Sequence, residues 1–163
     1  MKNIAALVVM FLFFSACSPG NRTFSDGNKW IPADFDMNSG VLLVQILPVK
    51  AKITADMDEF LSKKYPGKYV IVTQKEIEDK NGQYADLSKY RFAFQWNVGS
   101  RYNYSSSFTD YDVYGKFYDR SLNKLYPTTK KYNNYGQRAY IPFFNTIVQH
   151  SSKAGMPTAS KNN

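Results

Sequence analysis

A two-layer α/β sandwich, with a mixed sheet of about four to five strands, is the fold that three features of the chain predict. The apolar run Gly40 to Leu47 is followed by a segment of helical period and then by a second strand-like run, Lys68 to Thr73. Two stretches, Tyr90 to Val98 and Asp110 to Asp119, alternate in polarity, and an apolar stripe lies between Ile141 and Val148. The resulting order of strand, helix, strand, hairpin and helix places helices against a sheet.

The first strand enters from Asn38-Ser39-Gly40 and is stopped by Pro48. Because it is apolar at both parities, it is expected near the middle of the sheet, buried on both faces. Ile53, Met57, Phe60, Leu61 and Lys64 then recur at helical spacing, with Asp56 and Glu59 early and Lys63 and Lys64 late, which complements the helix dipole. Pro66-Gly67 ends that helix near Tyr65. A strand, a helix and a strand in succession predict a right-handed parallel crossover. Gln74 to Ser88 is polar and predicts a short helix at most.

In the third strand Tyr90, Phe92, Phe94, Trp96 and Val98 share one face, and Arg91, Ala93, Gln95 and Asn97 share the other. Gly99 to Thr109 reads as a polar loop. The next strand sets Tyr111, Val113, Gly115 and Phe117 against Asp112, Tyr114, Lys116 and Tyr118, so the two strands form an antiparallel hairpin. Asp119 to Lys124 has turn composition, Leu125-Tyr126 is a short partner strand, and Thr128 to Arg138 is irregular. Pro142 suits the first turn of a last helix, whose stripe is Phe143, Phe144, Ile147 and Val148.

The N-terminus has the anatomy of an export signal. Lys2 supplies its positive region, and the apolar run Ile4 to Phe14 is too short to span a bilayer. Phe14-Ser15-Ala16-Cys17 resembles the lipobox of bacterial lipoproteins, which implies cleavage before Cys17 and a lipid on its thiol; Phe14 departs from the aliphatic residue usual there. Cys17 is the single cysteine, so no disulfide forms within one chain. Residues 1–16 are thus expected to be a signal peptide, 17–29 a polar tether rich in Pro and Gly, 30–150 one globular domain, and 151–163 a disordered tail. The resemblance to sorted lipoproteins implies that Ser18 beside the cysteine is compatible with passage to the outer membrane, and that the lack of an acidic cluster there argues against export to the cell surface, so that a periplasm-facing position is expected.

Removing sixteen of the 163 residues leaves 147, enough for one core. Of 21 Lys and Arg, Lys2 leaves with the signal, and the remaining 20 against 13 acidic residues give a formal +7. Such a balance favours acidic neighbours, which in the periplasm are lipid headgroups, polysaccharide and peptidoglycan rather than nucleic acid. The basic residues are dispersed as on an ordinary solvated surface.

Nothing in the chain assembles the chemistry of an enzyme. His150 is the single histidine and lies near the end of the last helix, where a cation suits the dipole. Without further histidines, and with Cys17 assigned to a lipid, zinc ligation and Ser/His or Cys/His catalysis lack their parts. Asp34 with Asp36, and Asp110 with Asp112, have no metal-loop spacing and read as turn and cap residues. Gly99, Gly115 and Gly136 form no phosphate loop. No metal and no cofactor beyond the covalent lipid are expected.

The compositional oddity is aromatic: 13 Tyr and 12 Phe exceed what one core of this size needs. Tyr102, Tyr104, Tyr111, Tyr114 and Tyr118, with Ser105-Ser106-Ser107 between them, cluster in the hairpin, and Tyr132 and Tyr135 follow. Of these, Tyr102, Tyr104, Tyr114 and Tyr118 are the candidate contacts for a protein partner or a glycan; the alternative is a sheet face covered by helices with cross-strand ring pairs.

Asp34-Phe35-Asp36-Met37-Asn38, Val41 to Gln45, Lys64-Tyr65-Pro66-Gly67-Lys68-Tyr69, Tyr90-Arg91-Phe92-Ala93 and Phe117-Tyr118-Asp119-Arg120, together with the signal, resemble small envelope lipoproteins of Bacteroidota. The resemblance spans most of the mature chain and implies an envelope location, but no activity and no site residues. The element order is also similar to small periplasmic lipoprotein modules that regulate cell-wall synthases, an analogy of architecture. The expectation is therefore a non-catalytic binding or adaptor module for an envelope protein or assembly, or else a glycan- or peptidoglycan-binding module using the tyrosine-rich hairpin.

Overall fold

The computed structural model describes residues 29–47, 51–105, 107–129 and 139–154. Eight elements follow in order: β1 (Val41–Gln45), α1 (Ala51–Lys64), β2 (Lys68–Val72), α2 (Gln74–Glu78), β3 (Phe92–Asn103), β4 (Phe108–Asp119), β5 (Lys124–Leu125) and α3 (Tyr140–Ala154). The strands form one mixed sheet in the order β2-β1-β3-β4-β5. β1 runs parallel to both β2 and β3, whereas β3–β4 and β4–β5 are antiparallel. This is the α/β architecture expected of the sequence.

Alternation along the strands divides the sheet into two faces. Leu42 and Val44 of β1, Phe92, Phe94 and Trp96 of β3, and Val113 and Phe117 of β4 point to the main core. There they meet Ile53, Met57 and Leu61 of α1, Phe143, Phe144 and Ile147 of α3, and Trp30 and Phe35 from the segment before β1. Rings dominate: Phe94 packs edge-on to Trp96 with centroids 4.8 Å apart, and lies 5.1 Å from Phe144 and 5.6 Å from Phe117. Gly115 makes this possible, since a Cβ there would stand 2.4 Å from Phe94 Cζ and 2.9 Å from Phe143 Cδ1. It sits directly across from Trp96, so one large ring covers the site where its partner strand has no side chain.

The opposite face carries a smaller cluster, Leu43, Val72, Ile77 and Ala93, packed against by Val70, Tyr84, Tyr90 and Tyr118. α2 supplies its lid. Thr73 caps that helix in a reciprocal box: the Glu76 N–H donates to Thr73 Oγ1 at 3.2 Å, and the Thr73 N–H donates to Glu76 Oε2 at 2.7 Å. Ile77 is thereby held against the sheet. In its sheet-bound part β3 is therefore covered on both faces.

Several local expectations need correction. The first turn of α1 holds no acid; Asp56 pairs with Lys52 at 3.1 Å and Glu59 with Lys63 at 2.6 Å, so these acids act as neighbours one turn away and not on the dipole. The last helix continues to Ala154, into the segment expected to be tail. The segment Gly99 to Thr109 is not a loop: the β3–β4 ladder continues through Gly99–Asp112 to Asn103–Phe108. The signal, Cys17, most of the tether, Tyr132 and Tyr135 lie outside the described residues.

Candidate functional site

The hairpin extends well past the body of the sheet. β1 pairs with β3 only at Leu43–Ala93 and Val44–Phe94, and the core residues of the hairpin end with Trp96 and Val113, against which Val98 is half-buried. Beyond Val98–Val113 lie five further residue pairs, so the two-stranded ribbon projects about 17 Å at roughly 3.3 Å per residue. Its residues Gly99, Ser100, Tyr102, Tyr104, Ser105, Ser107 and Thr109 are exposed. Ser107 closes the turn in the left-handed region at φ 55°.

At the end of the ribbon Tyr102 and Tyr104 form an edge-to-face pair, with centroids 4.9 Å apart and ring planes at 85°. Tyr104 is 87% exposed and Tyr102 50%. The pair is therefore an apolar knob on a convex projection, with hydroxyl edges to solvent. Nothing in the core requires these rings.

The four tyrosines singled out in the sequence do not share a surface. Tyr102 lies on the parity of Phe94 and Trp96, while Tyr114 and Tyr118 face the other way, opposite Asn97 and Ala93. Along the strand Tyr118 is nine pairs from Thr109, the partner of Tyr102, which amounts to about 30 Å. Tyr118 is half-buried beside the Ala93 cluster, and its hydroxyl donates to Asn123 Oδ1 at 2.7 Å. It therefore belongs to the body. Tyr114 is half-buried on the same face.

The charged groups buried in the body are committed to structure. Asp119, wholly buried, accepts from Arg91 Nε at 3.0 Å and Nη2 at 2.6 Å, and from the Ser121 hydroxyl, the Ser121 N–H and the Leu122 N–H. Burial pushes its carboxyl up, but these donors outweigh burial and hold it below the usual carboxylate range. Arg91 Nη2 also meets Asp34 Oδ2 at 2.6 Å, and its guanidinium lies 4.5 Å from the Phe92 ring centre. Arg120 donates to four carbonyls, those of Ile77, Tyr84, Tyr90 and Asp79, and so ties the lid of the second cluster to the sheet. The composition of Asp119 to Lys124 predicts a turn; the turn is there, but the Asp119 and Arg120 side chains face inward.

Asp36 accepts from the Asn38 N–H at 2.9 Å, the use expected of an aspartate in a turn, and Asp34 serves the ion pair. His150 is half-buried in α3. Among the described residues no three His, Cys, Asp or Glu side chains are grouped to hold a metal ion, and no helix is long and apolar enough to cross a membrane. Compared with protein-family models, curated proteins and solved structures, the chain matches none.

Proposed function

We propose that the protein is a lipid-anchored binding module of the bacterial envelope, whose hairpin arm seats the Tyr102–Tyr104 pair in a protein partner. The observation that supports this is the exposed, mutually stacked pair at the end of a ribbon that the core does not need. Tyrosine loses few rotors on binding and offers both apolar area and a hydroxyl, which is why such rings serve as interface anchors. A protein partner is favoured over a glycan by shape. A sugar ring stacks on a flat face, and two rings at 85° on a convex tip offer an edge and a face to a pocket instead.

The membrane attachment rests on Lys2, the run Ile4 to Phe14 and Ser15-Ala16-Cys17. Several acyl chains, at about 0.8 kcal/mol per buried methylene, would make it permanent. The polar tether to residue 29 would let the domain reach partners on the periplasmic side of the outer membrane, where nucleic acid is not a partner. No catalytic step and no cofactor other than the lipid belong to this reading.

Two experiments test it. Fatty-acid labelling is expected for the wild type and absent from Cys17→Ala; equal labelling would refute the anchor. A photo-reactive residue at Tyr104 is expected to give a discrete cross-link in intact envelopes, while the same residue at Leu122, exposed on the body, gives none. Cross-links at Leu122 and none at Tyr104 would refute the arm.

A further inference from the structure

A cavity of about 220 Å3 opens where the chain before β1 passes the segment before β3. The two segments are joined by the Arg91–Asp34 ion pair and by one backbone hydrogen bond. The Val41 N–H donates to Lys89 O at 2.8 Å, and Gly40 permits the approach, since a Cβ there would stand 2.8 Å from the same oxygen. The floor is apolar, made by Phe35, Met37, Leu42, Tyr65 and Phe92, and the rim carries Ser39, Ser88 and Lys89. Leu87, 41% exposed, stands at the mouth. An adjoining cleft of about 300 Å3 shares Ser39, Gly40, Ser88 and Lys89 and adds Lys68.

Two features point to a ligand. Tyr65 is only 6% exposed and its ring is fixed edge-on to Tyr69 and Phe144, yet its hydroxyl has no hydrogen-bond partner among the described residues. The hydroxyl is not sealed from solvent, so at the cavity wall it can donate to water or to whatever displaces that water. Burial, and then Asp36, raise its pKa, so it stays a neutral donor. The second feature is charge. Lys68 and Lys89 have no ion pair among the described residues, Lys89 lying 5.0 Å from the Tyr90 ring centre, whereas Arg91 in the same lining is held by Asp34 and Asp119. The one carboxylate of the lining, Asp36, is engaged by the N–H and the amide of Asn38. The charges are therefore divided: the Asp36 carboxylate lies on the Tyr65 side of the cavity, whereas the adjoining cleft holds Lys68 and Lys89 and no acid in its lining, with Asp86 close enough to act on Lys89.

We propose that this cavity binds a small amphipathic carboxylic acid, its apolar body on Met37, Leu42, Tyr65 and Phe92 and its carboxylate at Lys89 and Lys68. A cavity of about 150 Å3 admits benzene, so about 220 Å3 suits a short-to-medium acyl or aryl acid. A larger ligand would have to displace Leu87.

Octanoate, octanol, octylamine and acetate are the probes, titrated into the full chain with amide shifts followed by NMR. Octanoate is expected to shift Gly40, Val41 and Lys89 saturably, and the other three to bind at least tenfold more weakly, since a charge-assisted contact is worth a factor of ten or more. Lys68→Met with Lys89→Met should cost octanoate at least tenfold, and Leu87→Trp at the exposed mouth should also weaken it. The pair Tyr102→Ala and Tyr104→Ala should leave it unchanged, which separates this site from the arm. Octanol or acetate binding as well as octanoate, no saturable shift at these amides, or affinity unaltered in the lysine variant would each overturn the proposal.

Discussion

The β3–β4 hairpin is one continuous ladder whose two halves live in different surroundings. From Phe92–Asp119 to Val98–Val113 it is buried under α1 and α3 on one face and, at its base, under α2 on the other. From Gly99–Asp112 to Asn103–Phe108 the same two strands run on as a ribbon whose described side chains are mostly exposed. An isolated two-stranded hairpin is marginal in water, so the outer half is ordered by continuity with the inner. Packing thus resides in one half, and the surface free for recognition in the other. Local opening should begin at the tip, where few apolar contacts resist it.

The inner half should break hardest. Phe94→Ala removes a fully buried ring that touches Trp30, Trp96, Phe117, Phe143 and Phe144, and is expected to cost about 3–5 kcal/mol in denaturant unfolding. The outer ribbon should melt with it, because its ladder starts from these residues.

Next is the base of the hairpin. Asp119→Ala deprives Arg91 of its buried partner and leaves the Ser121 and Leu122 donors unmatched, a loss of about 2–3 kcal/mol. Its lowered pKa fixes the sign with pH. Stability from Asp119 is present above the unfolded value near pH ~4 and is lost as pH falls through the lower folded value. Acid unfolding of the wild type should show this loss below about pH 4, and Asp119→Asn should lack it.

These sites also mark how far the sequence was legible. The strands of the body were readable because each has a buried face and therefore a period: Leu42 to Val44 is apolar throughout, and Phe92, Phe94 and Trp96 alternate with Ala93 and Gln95. In the outer ribbon most of the described side chains are exposed, and Gly99 to Thr109 carries no hydrophobic period and looks like loop, although the ladder extends through it. Asp119 and Arg120 look like turn residues because composition does not say whether a charge has found partners. A signal for α2 was present in Thr73 and Glu76, three residues apart ahead of Ile77, the spacing of a capping box. Alternation correctly set Tyr114 and Tyr118 opposite Val113 and Phe117, but which rings stay exposed depends on the lid formed by residues 74–90, which no local pattern specifies.

Smaller effects sharpen the contrast. Thr73→Ala removes the cap of α2 and should cost about 1 kcal/mol, with hydrogen exchange rising at Ile77 and across the second cluster while the main core is unaltered. Tyr118→Phe loses the bond to Asn123 at an exposed site and should cost no more than about 0.5–1 kcal/mol, with partner binding retained.

A small effect on stability should accompany the largest effect on binding. Tyr102→Ala with Tyr104→Ala removes one exposed ring pair, worth about 0.5–1.5 kcal/mol at most, so melting should fall by no more than roughly 6 °C. Measured side by side, thermal denaturation and affinity capture of the lipidated chain from envelopes address the central claim directly. Near-native melting and loss of the partner captured by the wild type are expected. Unchanged capture would contradict the arm as the contact surface, and a fall in melting as large as that of Phe94→Ala would contradict the division between a stabilising half and a binding half.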